Sequence, residues 1–187
     1  MTGIFVAVVG PSGVGKDSVI GFARERLVDS GRVVFVRRVV TRAADGGSED
    51  HDSMDLTAFA EAERNGAFAL NWNAHGLRYG LPAALERDLA AGRVVVANLS
   101  RAVIPDLIEK YPDALVVSVT ADREVIAQRL AGRGRETPES IERRLQRSVA
   151  DRLPPSTIII DNSGSLEQAG MQFVQLLEDA AGIRERA

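Results

Sequence analysis

Two kinds of phosphate-handling residue meet in the stretch Gly10-Pro11-Ser12-Gly13-Val14-Gly15-Lys16-Asp17-Ser18. Gly10, Gly15 and Lys16 fit the spacing G-x-x-x-x-G-K-[ST], with Asp17 standing where Ser or Thr is expected. Glycines let successive backbone N–H groups curl into a concave anion site, and a helix behind them adds its positive end. Lys16 would reach the outer phosphates as a mobile point charge. The whole stretch is therefore assigned to a nucleoside triphosphate, with ATP as the expected donor, and Lys16 also to the transfer step. P-loop enzymes commonly hold Mg²⁺ through the loop hydroxyl and a strand-end Asp. Here the third buried strand ends Ala97-Asn98-Leu99-Ser100, without a carboxylate. Asp17 supplies a hard oxygen instead and is the candidate Mg²⁺ contact, directly or through water. Its competing role is that of an acid favoured by the helix dipole.

Arginines form two further groups. Arg38 and Thr41-Arg42 fall at the end of the second expected strand, the edge where open α/β sheets bind ligands. A guanidinium fork matches phosphate oxygens bidentately, so a second phosphorylated ligand is expected there. Arg129, Arg133, Arg135, Arg143, Arg144 and Arg147 surround the turn Gly132-Arg133-Gly134-Arg135. Such a turn suits a lid that brings positive charge to a moving phosphoryl group and excludes water. One helix face cannot aim Arg143, Arg144 and Arg147 inward together, so Arg133 is the stronger candidate. Trp72, His75, Gly76, Tyr79 and Gly80 suit an enclosed, partly polar pocket, with His75 more plausibly structural than catalytic.

Strand-like and helix-like segments alternate along the chain, the pattern of an α/β fold. Strands are expected at 4–9, 33–40, 68–72, 77–79, 93–97, 115–120 and 157–160. Helices are expected at 16–29, 55–65, 82–91, 103–111, from 122 to the Arg-rich turn, and at 137–152 and 165–181. Pro82 is placed as the first residue of its helix, and Pro105 as an early interruption of another. Ser165 with Gln168 forms a capping-box start, and Gly31, Gly66, Gly92 and Gly182 are stops. Parallel strands joined by helices, with the phosphate loop after the first, give a P-loop three-layer fold. Residues 1–187 are read as one such kinase domain, with an acceptor-covering insertion over about 41–80 and a lid turn over about 132–138.

At 187 residues, 45% hydrophobic and 26% charged, the chain can bury a core and is not expected to be disordered. A net charge of −3 argues against general binding to nucleic acid or membrane surfaces. The absence of Cys excludes disulfides, thiolate metal sites and a Cys nucleophile. With the first strand expected from residue 4, no signal peptide is expected, and no apolar run approaches bilayer-spanning length. A cytoplasmic location is expected.

The loop G-P-S-G-V-G-K, Thr41-Arg42, Tyr79-Gly80, the run Arg129 to Gly134 and Arg144-Leu145 together resemble guanylate kinase across nearly the whole chain. The resemblance implies that Arg42 and Tyr79 hold an acceptor phosphate and that Arg133 and Arg144 are lid arginines on the transferring group. The departures cluster where guanylate kinases read the base. Asn71 replaces the acid before the Trp, Leu81 the Ser after Tyr-Gly, and Ala97 and Leu99 the acids near the third strand's end. His51 stands for the insertion's phosphate-binding Tyr and Asp45 for its second Arg. A site built to hydrogen-bond guanine and stripped of those partners loses most of its discrimination.

With Gly-Lys-Asp-Ser in the loop and Gly47-Ser48-Glu49-Asp50-His51 in the insertion, the pattern resembles the ribose 1,5-bisphosphate phosphokinases of phosphonate catabolism. That resemblance implies ATP-dependent phosphorylation of the 1-phosphate of ribose 1,5-bisphosphate to 5-phosphoribosyl 1-diphosphate, with Mg²⁺. Glu49, Asp50, Asn71, Trp72 and His75 become candidates for the ribose side, and Arg38, Arg42 and Tyr79 for phosphate. The alternative enzyme is a nucleoside monophosphate (guanylate) kinase. An inert guanylate-kinase-like binding module typically loses the phosphate loop, whereas Gly10, Gly15 and Lys16 are all present.

Overall fold

The computed structural model describes residues 3–42, 51–132 and 153–183. Its centre is β1 (Phe5–Val9), whose five residues are all buried. β1 lies in the middle of a parallel five-stranded sheet of order β2-β7-β1-β8-β9, with β2 (Val33–Phe35), β7 (Val94–Asn98), β8 (Leu115–Thr120) and β9 (Ile158–Asp161). A parallel sheet of this kind must be covered on both faces, and the alternation along β1 shows how. Val6 and Val8 join an apolar cluster with Val19, Ala23 and Leu27 of α1 (Lys16–Leu27) and Phe173 and Leu177 of α6 (Leu166–Ala181). Phe5, Ala7 and Val9 face a second cluster with Leu85 of α3 (Leu85–Ala90) and Ile104 and Leu107 of α4 (Ile104–Lys110).

A second, four-stranded sheet runs β4-β3-β6-β5, built from β3 (Arg38–Val40), β4 (His51–Ser53), β5 (Phe68–Ala74) and β6 (Leu77–Pro82). β3 pairs parallel to β4 and antiparallel to β6, and β5 and β6 form a hairpin. Leu70, Trp72 and Leu81 place one face of this sheet in the second core cluster. α2 (Leu56–Arg64), capped by the Asp55 side chain on the Ala58 N–H at 2.8 Å, contributes Phe59, which stacks on Phe68 with centroids 4.5 Å apart. Arg78 ties α2 to β6 through Glu63 at 2.6 Å, with its guanidinium over Phe59.

Gly80 is where Phe68 and the hairpin close on each other. A Cβ there would lie 2.5 Å from the Phe68 ring, which has Phe59 behind it and little room to retreat. Gly80→Ala is expected to cost about 1–3 kcal/mol through overpacking. At about 2–4 °C per kcal/mol for a chain of this size, calorimetry would record the loss as a lower Tm.

The expected strand 33–40 is two strands in two sheets. The Val36 N–H still donates to the Val96 carbonyl at 2.9 Å, after which the chain leaves the first sheet, and Arg37 pairs with Asp52 of β4. β-branched residues specify extended backbone but not the partner strand, so the change of sheet left no mark in the composition. Pro82 ends β6 and does not open α3, where the missing N–H matters little at a strand end. Pro105 lies in the first turn of α4 and interrupts nothing, because first-turn N–H groups have no intrahelical partner. The first helix ends at Leu27 and closes with a 3₁₀ turn, Val28–Ser30, before Gly31. Strand 115–120 and the Ser165 cap are as expected, the Ser165 hydroxyl accepting from the Gln168 N–H at 3.2 Å. The expected helix 137–152 and most of the lid turn lie outside the described residues. Among the described residues, no helix is long and apolar enough to cross a membrane.

Candidate active site

The loop between β1 and α1 lies at the carboxyl edge of the first sheet, where β1 has β7 on one side and β8 on the other. Gly10 (φ +148°) and Gly15 (φ +94°) adopt backbone conformations that L side chains rarely take. A Cβ at Gly10 would collide with the Val119 carbonyl oxygen of β8, and one at Gly15 would lie 2.6 Å from the Asn162 amide nitrogen. Val14, fully buried, anchors the crown of the loop. Its carbonyl accepts from Asn162 Nδ2 at 2.8 Å and from Arg129 Nη1 at 3.2 Å. The Lys16 ammonium folds back over the loop, donating to the carbonyls of Gly10 at 2.9 Å and Pro11 at 3.1 Å. Ser12 and Ser18 are exposed.

Asn162 is held in turn by the residues on either side of it. The Asp161 carboxylate accepts from both the hydroxyl and the N–H of Ser163, which hold its pKa below the usual carboxylate value. The Ser163 hydroxyl oxygen also accepts from the Asp122 N–H at 2.8 Å, joining this turn to the start of α5 (Arg123–Gly132). The loop crown is thus fixed by two elements distant in sequence. Arg129, grouped by its sequence position with the lid arginines, grips the loop backbone instead.

Asp17 occupies the first turn of α1, where Asn98 Nδ2 at the end of β7 donates to its Oδ1 at 2.7 Å. Asp17 and Asn98 line one cleft with Ile20, Arg24, Val36, Val96 and Arg38. The loop carboxylate and the first candidate acceptor arginine therefore share a cavity, although they lie in different sheets and helices. Arg38 is buried, its guanidinium 5.8 Å from the centre of the Tyr79 ring. Tyr79 in turn stacks on Trp72 at 5.3 Å, with the rings only 9° from parallel. Arg38, Tyr79 and Trp72 thus form a layered series from charged to apolar.

Strand alternation sorts the remaining candidates. Trp72 pairs with Tyr79 and Leu70 with Leu81, putting these four side chains on the face that meets the core. Asn71 pairs with Gly80 and is exposed on the opposite face. The structure therefore does not bring Asn71 to the Arg38–Tyr79–Trp72 face, because adjacent residues in a strand point to opposite sides. Trp72 is buried within the apolar cluster, and its indole N–H has no partner among the described residues. Thr41 is a strap between strands: its N–H donates to the Arg78 carbonyl at 3.0 Å, and its hydroxyl accepts from the Arg78 N–H at 2.8 Å. That fixes the backbone from which the half-buried Arg42 projects. His51 lies in β4, in register with Arg38. His75 is exposed in the turn between β5 and β6, at φ +54°. Asp45, Glu49 and Asp50, and Arg133, Arg135, Arg143, Arg144 and Arg147, lie outside the described residues.

Asn98, Asn162 and Arg24 belong to this constellation but were not singled out from the sequence. Asn98 carried a readable signal, a polar residue closing the apolar run Val94-Val95-Val96-Ala97. Asn162 and Arg24 carried none, because their relevance depends on which strand ends the topology gathers. No group of three or more His, Cys, Asp or Glu side chains that could hold a metal is found among the described residues. An ion arriving on triphosphate oxygens needs only one or two protein carboxylates besides water, and Asp17 fits that smaller demand.

No protein-family model matches the chain. Over 181 residues it is 54% identical to ribose 1,5-bisphosphate phosphokinase PhnN of Chelativorans sp. (strain BNC1), covering 96% of this chain and 87% of that one. The protein of the same name from Brucella melitensis biotype 2 is 49% identical, covering 96% and 94%. That from Agrobacterium fabrum is 44% identical, covering 95% and 97%. Among solved structures, the guanylate kinase of Anaplasma phagocytophilum aligns with a TM-score of 0.67 at 18% identity, covering 95% of this chain and 86% of that one. A gluconokinase from Sinorhizobium meliloti 1021 aligns with a TM-score of 0.51 at 20% identity, covering 98% of each chain. These structures share the guanylate-kinase-like P-loop fold, and the close relatives carry the narrower assignment: the chain belongs to the ribose 1,5-bisphosphate phosphokinase PhnN family.

Proposed function

We propose that this protein transfers the γ-phosphoryl group of ATP to the 1-phosphate of ribose 1,5-bisphosphate, giving 5-phosphoribosyl 1-diphosphate and ADP. The observation that carries the reading is the contrast between the two halves of the site. The phosphate-handling half keeps Lys16 on a glycine loop and Arg38 in the adjoining cleft, with His51 and Asp45 as its departures from guanylate kinase. At the positions that the resemblance to guanylate kinase assigns to base-reading residues stand Leu81, Ala97 and Leu99, all buried in one apolar cluster. Side chains without hydrogen-bonding groups at those positions would leave a purine's polar edge unpaired, a penalty that favours an acceptor without a base.

Each residue's work follows from charge and position. Loop N–H groups and the start of α1 bind the triphosphate, and Lys16 exchanges its two carbonyl contacts for phosphate oxygens. Arg38, Arg42 and Tyr79 hold the acceptor's phosphate, while the Trp72 ring backs Tyr79. Arg133 and Arg144 are assigned the role of lid arginines, and Glu49 and Asp50 are assigned to the ribose side. The acceptor oxygen is already anionic at neutral pH. It attacks Pγ, the bond from Pγ to the bridging oxygen breaks, and ADP leaves with that electron pair. No general base is needed, so alignment and neutralisation of charge carry the catalysis. Asp17 would hold the Mg²⁺ accompanying the triphosphate, which when bound would supply neutralising charge at the triphosphate oxygens. With a triphosphate and a sugar bisphosphate as reactants, the cytoplasm is the compartment of action.

The test is ADP release with ribose 1,5-bisphosphate or GMP as acceptor. Turnover with the sugar bisphosphate is the expected result, and turnover with GMP alone would replace this reading with the guanylate kinase alternative.

A further inference from the structure

We propose that Asn98 is a positioning residue that aims Asp17 at the Mg²⁺ accompanying the triphosphate. The pair would take over the work that other P-loop enzymes divide between a loop hydroxyl and a strand-end carboxylate. In this chain the arrangement is inverted, with the carboxylate on the loop and an amide at the strand end. The proposal rests on the reading of Asp17 as the carboxylate that meets the metal.

Three observations carry it. The two side chains are 81 residues apart in sequence, yet Asn98 Nδ2 donates to Asp17 Oδ1 at 2.7 Å. An ionised carboxylate only accepts hydrogen bonds, so the amide must present its NH₂ to Asp17 and turn its oxygen away. That oxygen is buried and has no hydrogen-bond partner among the described residues, and Asn98 as a whole is only 8% exposed. A buried amide oxygen without a partner is destabilising. For the fold alone, an apolar residue continuing the Val94–Ala97 run would serve better. Finally, both residues line the cleft that holds Arg38, so the hydrogen bond lies where donor and acceptor phosphates would meet. Fixing one carboxylate oxygen through the amide sets the direction of the other, the ordinary means by which outer partners orient a metal ligand.

The experiment measures binding of the non-hydrolysable analogue AMPPNP to the full chain by calorimetry, with and without Mg²⁺, beside the Tm of each variant. The readout is the factor by which Mg²⁺ tightens AMPPNP binding. Losing a partner that orients a metal ligand typically costs about 10–100-fold. Asn98→Leu should therefore reduce the factor at least about tenfold, with metal-free affinity unchanged and a Tm equal to or above that of the unmodified chain. Asp17→Asn should reduce it as much. Moving the carboxylate back to the strand, in Asp17→Ser with Asn98→Asp, should restore it. If Asn98→Leu does not fold, Asn98→Ala removes the amide without added bulk and carries the same expectation. An unchanged Mg²⁺ factor in the Asn98 variant, with a reduced one in Asp17→Asn, overturns the proposal alone. An unchanged factor in both overturns it together with the metal reading of Asp17, while phosphoryl transfer to the sugar would still stand.

Discussion

Lys16→Met lowers kcat by about 10²–10³-fold, the usual effect of removing one preorganised donor from a transition-state charge. Fold stability should change little. Lys16 donates to the carbonyls of Gly10 and Pro11, at 2.9 and 3.1 Å, on a partly buried site. The loop does not depend on those bonds for its shape, because Asn162 and Arg129 hold its crown through the Val14 carbonyl. What the substitution removes is a cation placed to follow the phosphoryl group as charge redistributes. Methionine keeps most of the aliphatic stem and its packing. Steady-state kinetics with a parallel thermal scan checks this. A folded variant that keeps its kcat would remove Lys16 from the transfer step, and one that unfolds would show that Lys16 serves the fold.

Gly10→Ala has the largest expected effect on stability. The backbone φ of +148° strains any side-chain-bearing residue, at a cost of about 1–3 kcal/mol. The new Cβ also meets the Val119 carbonyl oxygen, which belongs to a fully buried residue of β8 and has nowhere to move. Overpacking of this kind adds about 1–3 kcal/mol. At about 2–4 °C per kcal/mol for a chain of this size, the two together lower Tm by roughly 4–24 °C. The same displacement opens the anion cradle, so ATP with Mg²⁺ should no longer raise Tm by mass action as it does for the unmodified chain. Calorimetry with and without nucleotide reads both effects. A Tm within 2 °C of the unmodified chain, with an intact ATP-induced shift, would contradict the close packing of β1, its loop and β8.

The phosphate loop, the alternation of strands and helices, and the Ser165 cap were legible because each depends on residues close together in sequence. Gly10, Gly15 and Lys16 need only their spacing to be recognised, and Ser165 needs only Gln168. The change of sheet between Phe35 and Arg38 was not legible, since Val33 to Val40 is uniformly compatible with a strand in either sheet. Which face Asn71 occupies depends on the hairpin register, and that register places it opposite Gly80, on the exposed side. Arg129 looked like a lid residue beside Arg133 until α5 placed its guanidinium on the Val14 carbonyl. In sequence Asn98 is marked only by being no carboxylate at a strand end. Its hydrogen bond to Asp17 joins two strand ends that only the β2-β7-β1-β8-β9 order makes neighbours.

Leu81, Ala97 and Leu99, buried in one apolar cluster, offer a base no hydrogen-bonding partner, so the nature of the acceptor is the central claim. The direct measurement is ³¹P NMR of the purified protein with ATP and Mg²⁺ and equal concentrations of ribose 1,5-bisphosphate and GMP in one tube. The expected spectrum gains the two coupled resonances of a diphosphate at the sugar's C1 as ATP is converted to ADP, while the GMP signal persists. Loss of GMP to GDP with the ribose 1,5-bisphosphate signals unchanged would contradict it.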